Sequence, residues 1–192
     1  MKPIPFLHAK HFRRGPRAEP IRNIVIHSAE IGESLEGAEA LMRVCATNPR
    51  VASWHYAVDA NSITQSLHEG DIAFHAPGLN AAGIGIELSG RAKQTAEEWQ
   101  DPYSRDMLLL CAELVADICR RHDLPIEFVD AAGLVERDRG ITTHAEVSKA
   151  FKKSDHWDPG PGFPMGWFLE QVRFFHAYDT ERPPEGDEHD QE

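Results

Sequence analysis

The chain has 192 residues, a mass of 21.5 kDa and a formal net charge of −11, with 41% hydrophobic and 27% charged residues. This length suits one domain with a substantial core, and the composition is ordinary for a soluble globular protein. An acidic chain without a basic stripe argues against a nucleic-acid-binding protein. No apolar run approaches the roughly 20 residues of a membrane span, so we expect no membrane insertion.

The two ends of the chain differ in charge. Residues 1–20 are rich in proline and basic side chains, and we predict an extended arm. Its Arg13, Arg14 and Arg17 could face an anionic polymer, although a solvated arm is the simpler interpretation. Residues 178–192 are acidic and are predicted to be a disordered tail. The N-terminus lacks the apolar stretch of a signal peptide, so we expect synthesis in a cytoplasm.

The first predicted strand leads to a histidine. Asn23–His27 is a short apolar run rich in β-branched residues, which predicts a buried strand that ends at His27. The elements predicted after it are a helix at 36–47 and two hairpin strands at 51–58 and 62–67.

A carboxylate interrupts the next apolar run. The sequence Gly-Ile-Gly-Ile-Glu-Leu at 83–88 predicts a central strand that contains Glu87. An ionised glutamate in a buried strand costs several kcal/mol unless it is paired or faces a polar cavity. The carboxylate of Glu87 in this strand therefore needs an explanation.

The second half of the chain supplies most of the helical pattern. Residues 105–122 show one broad apolar face, which includes Cys111 and Cys119. These two thiols and Cys45 match no metal spacing and are predicted to be buried core residues. Elements predicted after this helix are a short strand at 126–129, a loop at 131–140 and a helix at 164–177. Because strands and helices alternate, the predicted fold is a single α/β domain, with a central mixed sheet flanked by helices, over residues 21–177.

Asp158 is followed at once by Pro-Gly-Pro-Gly, which favours a rigid turn. Two imidazoles and one carboxylate leave a coordination position of zinc free for water, and His27 and His144 could supply the imidazoles. Each residue has a simpler explanation when taken alone. The two histidines could be ordinary hydrogen-bonded residues, and Asp158 could cap the last helix.

Six motifs together resemble the type 2 N-acetylmuramoyl-L-alanine amidase family, whose fold is that of peptidoglycan recognition proteins. The resemblance covers about residues 20–176, and its motifs occur in the family's order. They are Ile-Val-Ile-His-Ser, Ser-Trp-His-Tyr-Ala-Val-Asp, Phe-His-Ala-Pro-Gly-Leu-Asn, Gly-Ile-Gly-Ile-Glu-Leu, Ile-Thr-Thr-His and His-Trp-Asp-Pro-Gly-Pro-Gly-Phe-Pro.

The resemblance implies a zinc site and a reaction. It places the zinc ligands on His27, His144 and Asp158 and a catalytic glutamate on Glu87. The expected reaction is hydrolysis of the amide bond between N-acetylmuramic acid and L-alanine in peptidoglycan, by a water that zinc activates.

Several positions near the expected site carry weaker implications. Many relatives have a lysine that steadies the oxyanion where this chain has His156, and Lys153 is an alternative donor. Some relatives carry a tyrosine where this chain has Trp54. Trp54 could contact substrate, or it could equally be a core residue. His75 and Asn80 lie on the loop that lines the substrate groove in relatives, so they are expected to contact substrate or to stabilise that loop.

The biological setting stays open between alternatives. The chain looks most like stand-alone endolysins of phages that infect actinobacteria, which would reach the cell wall after release by a holin. The lack of a signal-peptide pattern fits a cytoplasmic amidase that recycles soluble muropeptides equally well. A peptidoglycan-binding module without catalysis is a further alternative, disfavoured because the full set of ligands is present. We expect a monomer.

Overall fold

The structure, a computed structural model, describes residues 4–181 of the chain. Its centre is a five-stranded mixed sheet in the order β4-β3-β6-β2-β7, and a two-stranded sheet pairs β1 with β5. Within the larger sheet only the β3–β4 pair is antiparallel. The strands are β1 Phe12–Arg13, β2 Asn23–Ser28, β3 Tyr56–Val58, β4 Ile63–Gln65, β5 Ile72–Ala73, β6 Gly83–Leu88 and β7 Gly140–Thr143.

Five α-helices cover the sheet, and a short 3₁₀ helix at Glu98–Gln100 precedes the longest of them. They are α1 Gly37–Thr47, α2 Pro102–His122, α3 Ala131–Glu136, α4 His144–Phe151 and α5 Met165–Glu181. The predicted α/β fold, with its central mixed sheet flanked by helices, is therefore confirmed.

The two faces of the sheet serve different purposes. Side chains alternate along a strand, so Ile24 and Ile26 of β2 point to one face and Val25 and His27 to the other. The first face packs against α2 and α5 in the largest hydrophobic core. The second face has smaller apolar clusters, and it carries His27 and Glu87. The large core thus supports a sheet whose opposite face holds polar groups.

The longest helix begins three residues earlier than its apolar pattern predicts. Pro102 occupies the first turn, and the Asp101 side chain caps the helix by accepting a hydrogen bond from the Ser104 backbone N–H. Proline lacks an amide donor that the first turn would leave unpaired, so this start is favourable. Cys111 and Cys119 are buried on this helix and, with Cys45, are free thiols, as predicted.

Two predictions between α2 and the final helix are wrong. The strand predicted at 126–129 is only an isolated bridge between Phe128 and Ile141. The loop predicted at 131–140 contains α3, because the Asp130 side chain caps that helix by accepting from the Gly133 N–H. Capping is a local side-chain contact that the apolar pattern does not reveal.

The N-terminal arm is joined to the sheet by backbone hydrogen bonds. Leu7 N donates to Gln65 O, and Ala9 N donates to Ser66 O. Arg13 and Arg14 are exposed, as expected. Arg17 corrects the prediction of a fully solvated arm, since its guanidinium donates to the backbone oxygens of residues 69, 80, 81 and 83. Burial of Arg17 lowers its pKa to about 10.

At the other end of the domain, α5 continues past Ala177 to Glu181. The rest of the predicted acidic tail, residues 182–192, lies outside the described residues. Over residues 4–181, none of the helices has both the length and the apolar character that crossing a bilayer requires.

Candidate active site

His27 and Glu87 reach the site from two neighbouring strands. They are direct partners in the parallel β2–β6 register, near the carboxyl ends of both strands. Because paired residues project from the same face of a sheet, the imidazole and the carboxylate lie side by side. His27 is only 2% exposed, and Glu87 is partly buried. Open α/β sheets bind ligands at this edge.

His144 is placed by the junction between β7 and α4. β7 pairs with β2 on the side away from β6, and His144 is the first residue of the helix that follows. Thr143 caps α4 by accepting a hydrogen bond from Glu146 N at 3.3 Å. This cap fixes where the helix begins and therefore where the His144 imidazole points.

The turn that carries Asp158 is fastened on two sides. Ala145 N, in the first turn of α4, donates to the Asp158 backbone oxygen at 3.0 Å. Gly160 lies against the loop after β6, where an added Cβ would be 1.8 Å from Ala92 O. Its φ of +88° is also one that favours glycine. The Glu30 side chain accepts a hydrogen bond from Ala92 N at 2.6 Å, and this bond holds the loop after β6.

The three predicted metal ligands converge on one point. His27 Nδ1 lies 3.2 Å from Asp158 Oδ2, and His144 Nδ1 lies 3.2 Å from Asp158 Oδ1. The two Nδ1 atoms are 3.1 Å apart. All three residues are buried, and within the described chain they form the group whose ligand atoms lie within 4.8 Å of one another. We refer to His27, His144 and Asp158 as the His-His-Asp cluster.

This geometry fits a tetrahedral zinc ion. Ligand atoms about 2.0–2.1 Å from zinc at tetrahedral angles are about 3.3 Å from one another. The separations of 3.1 and 3.2 Å in the cluster are close to that value. Two histidine nitrogens and one carboxylate oxygen are also ligand types that zinc accepts, and three protein ligands leave one position open.

The electrostatics of the cluster keep the ligands ready to bind a cation. Burial raises the pKa of Asp158, but hydrogen bonds from His144 and His27 outweigh it and hold the pKa well below its ordinary value. Burial lowers the pKa of His27, against the opposing pull of Asp158. A neutral imidazole and an ionised carboxylate are the forms that bind metals.

Glu87 has the opposite perturbation. Burial, together with the nearby carboxylates of Asp158 and Glu30, raises the pKa of Glu87 to about 8. A carboxyl group whose pKa lies near neutrality can both accept and release a proton under physiological conditions.

Comparison with known proteins identifies the family. Residues 17–161, which include the His-His-Asp cluster and Glu87, match the sequence model of N-acetylmuramoyl-L-alanine amidases. The chain belongs to the N-acetylmuramoyl-L-alanine amidase family. It is 27% identical over 126 residues to a probable N-acetylmuramoyl-L-alanine amidase of Bacillus licheniformis. That match covers 58% of this chain but only 34% of the relative's length.

Solved structures of known amidases and endolysins have a similar fold. The Staphylococcus aureus hydrolase AmiA, solved with its ligand, has a TM-score of 0.74 at 16% identity, covering 93% of this chain and 85% of that one. A mutant endolysin from Bacillus subtilis has a TM-score of 0.59 at 19% identity, covering 90% and 99%. At these identities the likeness shows the fold alone. Neither relative is described as coming from an actinobacterial phage, so that origin stays a prediction.

His156 lies over the His-His-Asp cluster. Its ring stacks on that of His144, with centroids 4.4 Å apart and planes 12° from parallel. Its Nδ1 is 3.5 Å from Asp158 Oδ1, and 61% of its side chain is exposed. The imidazole therefore contacts the cluster on one side and is open to solvent on the other. Lys153, the alternative predicted donor, is exposed on the same segment.

The residues predicted to contact substrate are differently placed. Asn80 Oδ1 accepts hydrogen bonds from His75 N at 3.1 Å and from Ala76 N at 2.7 Å. These bonds stabilise the loop, which was the expected alternative to substrate contact. Trp54 is 8% exposed and packs with Leu41 and neighbouring apolar residues. Substrate contact by Trp54, His75 and Asn80 stays a prediction.

One contact of His75 was not anticipated from the sequence. His75 is 8% exposed, and its Nδ1 lies 3.0 Å from His27 Nε2. The sequence held a signal for this contact in Gly83 and Gly85, since glycine inside a strand often marks the close approach of another group.

Proposed function

We propose that this protein is a zinc-dependent N-acetylmuramoyl-L-alanine amidase that cleaves the amide bond between N-acetylmuramic acid and L-alanine in peptidoglycan. The observation that carries the proposal is the buried His-His-Asp cluster with Glu87 beside it, in a chain of this family. The alternative of a binding module without catalysis explains neither the cluster nor a carboxylate with a pKa near neutrality.

His27, His144 and Asp158 would hold the zinc ion through two Nδ1 atoms and a carboxylate oxygen. When bound, zinc lowers the pKa of a water molecule toward about 7 and polarises the substrate carbonyl. The chain itself supplies the rigid ligands and the acid-base group.

Glu87 is the proposed general base and acid. Its carboxylate takes a proton from the attacking water and later gives it to the departing amine of L-alanine. The raised pKa suits both halves of this exchange, because the group gains and loses a proton near neutral pH. Its pairing with His27 in the strand register supports this role.

His156 is the proposed oxyanion donor. It is exposed and stacked on His144, so an N–H of its imidazole can face the carbonyl oxygen that becomes negative during attack. A donor aimed at developing charge stabilises the transition state more than the ground state.

The direct test is digestion of purified peptidoglycan by the protein, with and without a zinc chelator. Mass analysis of the products should show stem peptides with a free L-alanine amino group and glycan strands with an intact lactyl group. Addition of zinc after chelation should restore the reaction. Cleavage elsewhere in the polymer, or a rate insensitive to chelation, would contradict the proposal.

The form of the substrate distinguishes an endolysin from a recycling amidase. We propose that the protein degrades intact cell wall in the manner of an endolysin, the setting to which its sequence motifs were compared above. An enzyme of this kind releases peptides from whole sacculi. A recycling amidase would cleave soluble muropeptides and leave sacculi untouched, and a comparison of the two substrates at equal enzyme concentration decides between them.

A further inference from the structure

His27 uses its two ring nitrogens on opposite sides. Nδ1 faces Asp158 and His144 at 3.1–3.2 Å, whereas Nε2 faces His75 Nδ1 at 3.0 Å. His75 thus contacts the nitrogen that points away from the metal position. Among the described residues, His75 is not part of the group of possible ligands at that position.

The strand beneath His75 is shaped to accept its ring. An added Cβ at Gly85 would lie 2.6 Å from His75 Cγ, and one at Gly83 would lie 3.3 Å from its Cε1. Both glycines are on the face of β6 that also carries Glu87, because residues 83, 85 and 87 alternate with the core residues. The absence of side chains at these two positions lets the imidazole rest on the sheet beside His27.

The other ring nitrogen of His75 makes no hydrogen bond within the described chain. Among residues 4–181, the Nε2 atom of His75 is buried and has no hydrogen-bond partner. A buried imidazole nitrogen without a partner is costly, so the burial of this ring needs a compensating role. The loop that carries it is fixed independently, since Asn80 accepts from the His75 backbone N–H.

We propose that His75 is a positioning residue that accepts the Nε2–H of His27 and so commits the His27 Nδ1 lone pair to the metal. A neutral imidazole carries one proton, and a partner for one nitrogen decides which nitrogen is free to bind a metal. Such partners also orient the ring and raise the basicity of the ligand. His144 has a weaker counterpart, since its Nε2 lies 3.4 Å from Ser154 Oγ.

This inference rests on the proposed function only for the zinc site, so the test measures zinc binding. The affinity of the full chain for Zn²⁺ is measured by competition with a chromogenic chelator. His75→Leu removes the acceptor and retains an apolar side chain of similar size. Loss of an outer partner of this kind weakens metal binding by about 10–100-fold, and we expect that loss here.

Two further variants separate positioning from packing. His75→Asn retains an acceptor close to the position of Nδ1 and should bind Zn²⁺ nearly as the unmodified chain does. Gly85→Ala keeps the histidine at position 75 but pushes its ring away from β6. This variant should therefore show the same loss of Zn²⁺ affinity as His75→Leu. Gly32→Ala is the matched control, since an added Cβ there meets nothing within 4 Å.

Nitrogen-15 NMR supplies a readout that a purely structural role does not predict. In the Zn²⁺-loaded chain, His27 should be bound through Nδ1 and protonated at Nε2, with a hydrogen bond to His75. If folded His75→Leu binds Zn²⁺ as tightly as the unmodified chain, or if His27 binds through Nε2, the inference fails and the zinc site stands. If the unmodified chain binds no Zn²⁺, the metal part of the proposed function fails with it.

Discussion

His27 and Glu87 occupy directly opposed positions on adjacent parallel strands, so a metal ligand and an acid-base group share one rigid sheet. The hydrogen bonds of β2 and β6 fix the separation of their backbones. Loops are not needed to bring these two groups together. Groups built on strands are held in place more firmly than groups on loops.

Removal of the Glu87 carboxylate tests its catalytic role. Glu87→Gln should retain zinc and fold, because the amide has the size of the carboxyl group, while kcat falls by about 10²-fold or more. Rates on peptidoglycan and zinc content are measured on the same preparation. Glu170→Gln, on the exposed side of α5, is the control and should keep full activity. A rate near that of the unmodified chain would place the base elsewhere.

The raised pKa of Glu87 also predicts how stability depends on pH. In the zinc-free folded chain the pKa is about 8, against an ordinary value of 4.5. Between these values the folded state retains a proton that the unfolded state releases, so stability falls as pH rises toward 8. Glu87→Gln removes this dependence and should stabilise the chelated protein at pH 8 by about 1–2 kcal/mol. Melting temperatures across pH 5–9, with Glu170→Gln in parallel, check the sign.

The two histidines of the cluster should each be essential for zinc binding. His27→Ala or His144→Ala leaves two ligands, and we expect stoichiometric zinc to be lost together with activity. His176→Ala on α5, which packs against the other face of the sheet, is the matched control and should keep both. Full zinc occupancy in either cluster variant would remove that residue from the ligand set.

His156 should be replaceable by lysine but not by alanine. His156→Lys retains an N–H donor and should keep activity with a changed pH profile, because an ammonium stays charged to higher pH than an imidazole. His156→Ala should lower kcat by about 10²–10³-fold, as for other oxyanion donors, with zinc still bound. A folded but inactive His156→Lys chain would count against the oxyanion role.

The turn at Asp158 should tolerate no Cβ at Gly160. An added Cβ would lie 1.8 Å from Ala92 O at a φ of +88°, so Gly160→Ala must shift the turn and displace the Asp158 carboxylate. We expect lower thermal stability and weaker zinc binding. An added Cβ at Gly166, within α5, would meet nothing within 4 Å, so Gly166→Ala should instead stabilise the chain by about 0.5–1 kcal/mol. Equal zinc affinity in the two variants would contradict this account of the turn.

The sequence by itself determined those features whose physical cause is local. The apolar run that ends at His27 predicted a buried strand, and the run that contains Glu87 predicted a central strand. The Pro-Gly repeat predicted the turn at Asp158. The spacing of side chains in a strand or helix follows from backbone geometry, so such patterns can be read without a structure.

Only the tertiary structure decided which groups meet. The α3 helix depends on a cap, and the inward course of Arg17 depends on carbonyl groups from two distant segments, residue 69 and residues 80–83. The contact between His75 and His27 joins residues 48 positions apart. Distances between such groups are set by how the sheet pairs and how loops pack on it. No local pattern fixes that pairing, and the family resemblance placed His27, His144, Asp158 and Glu87 in one site without giving these further contacts.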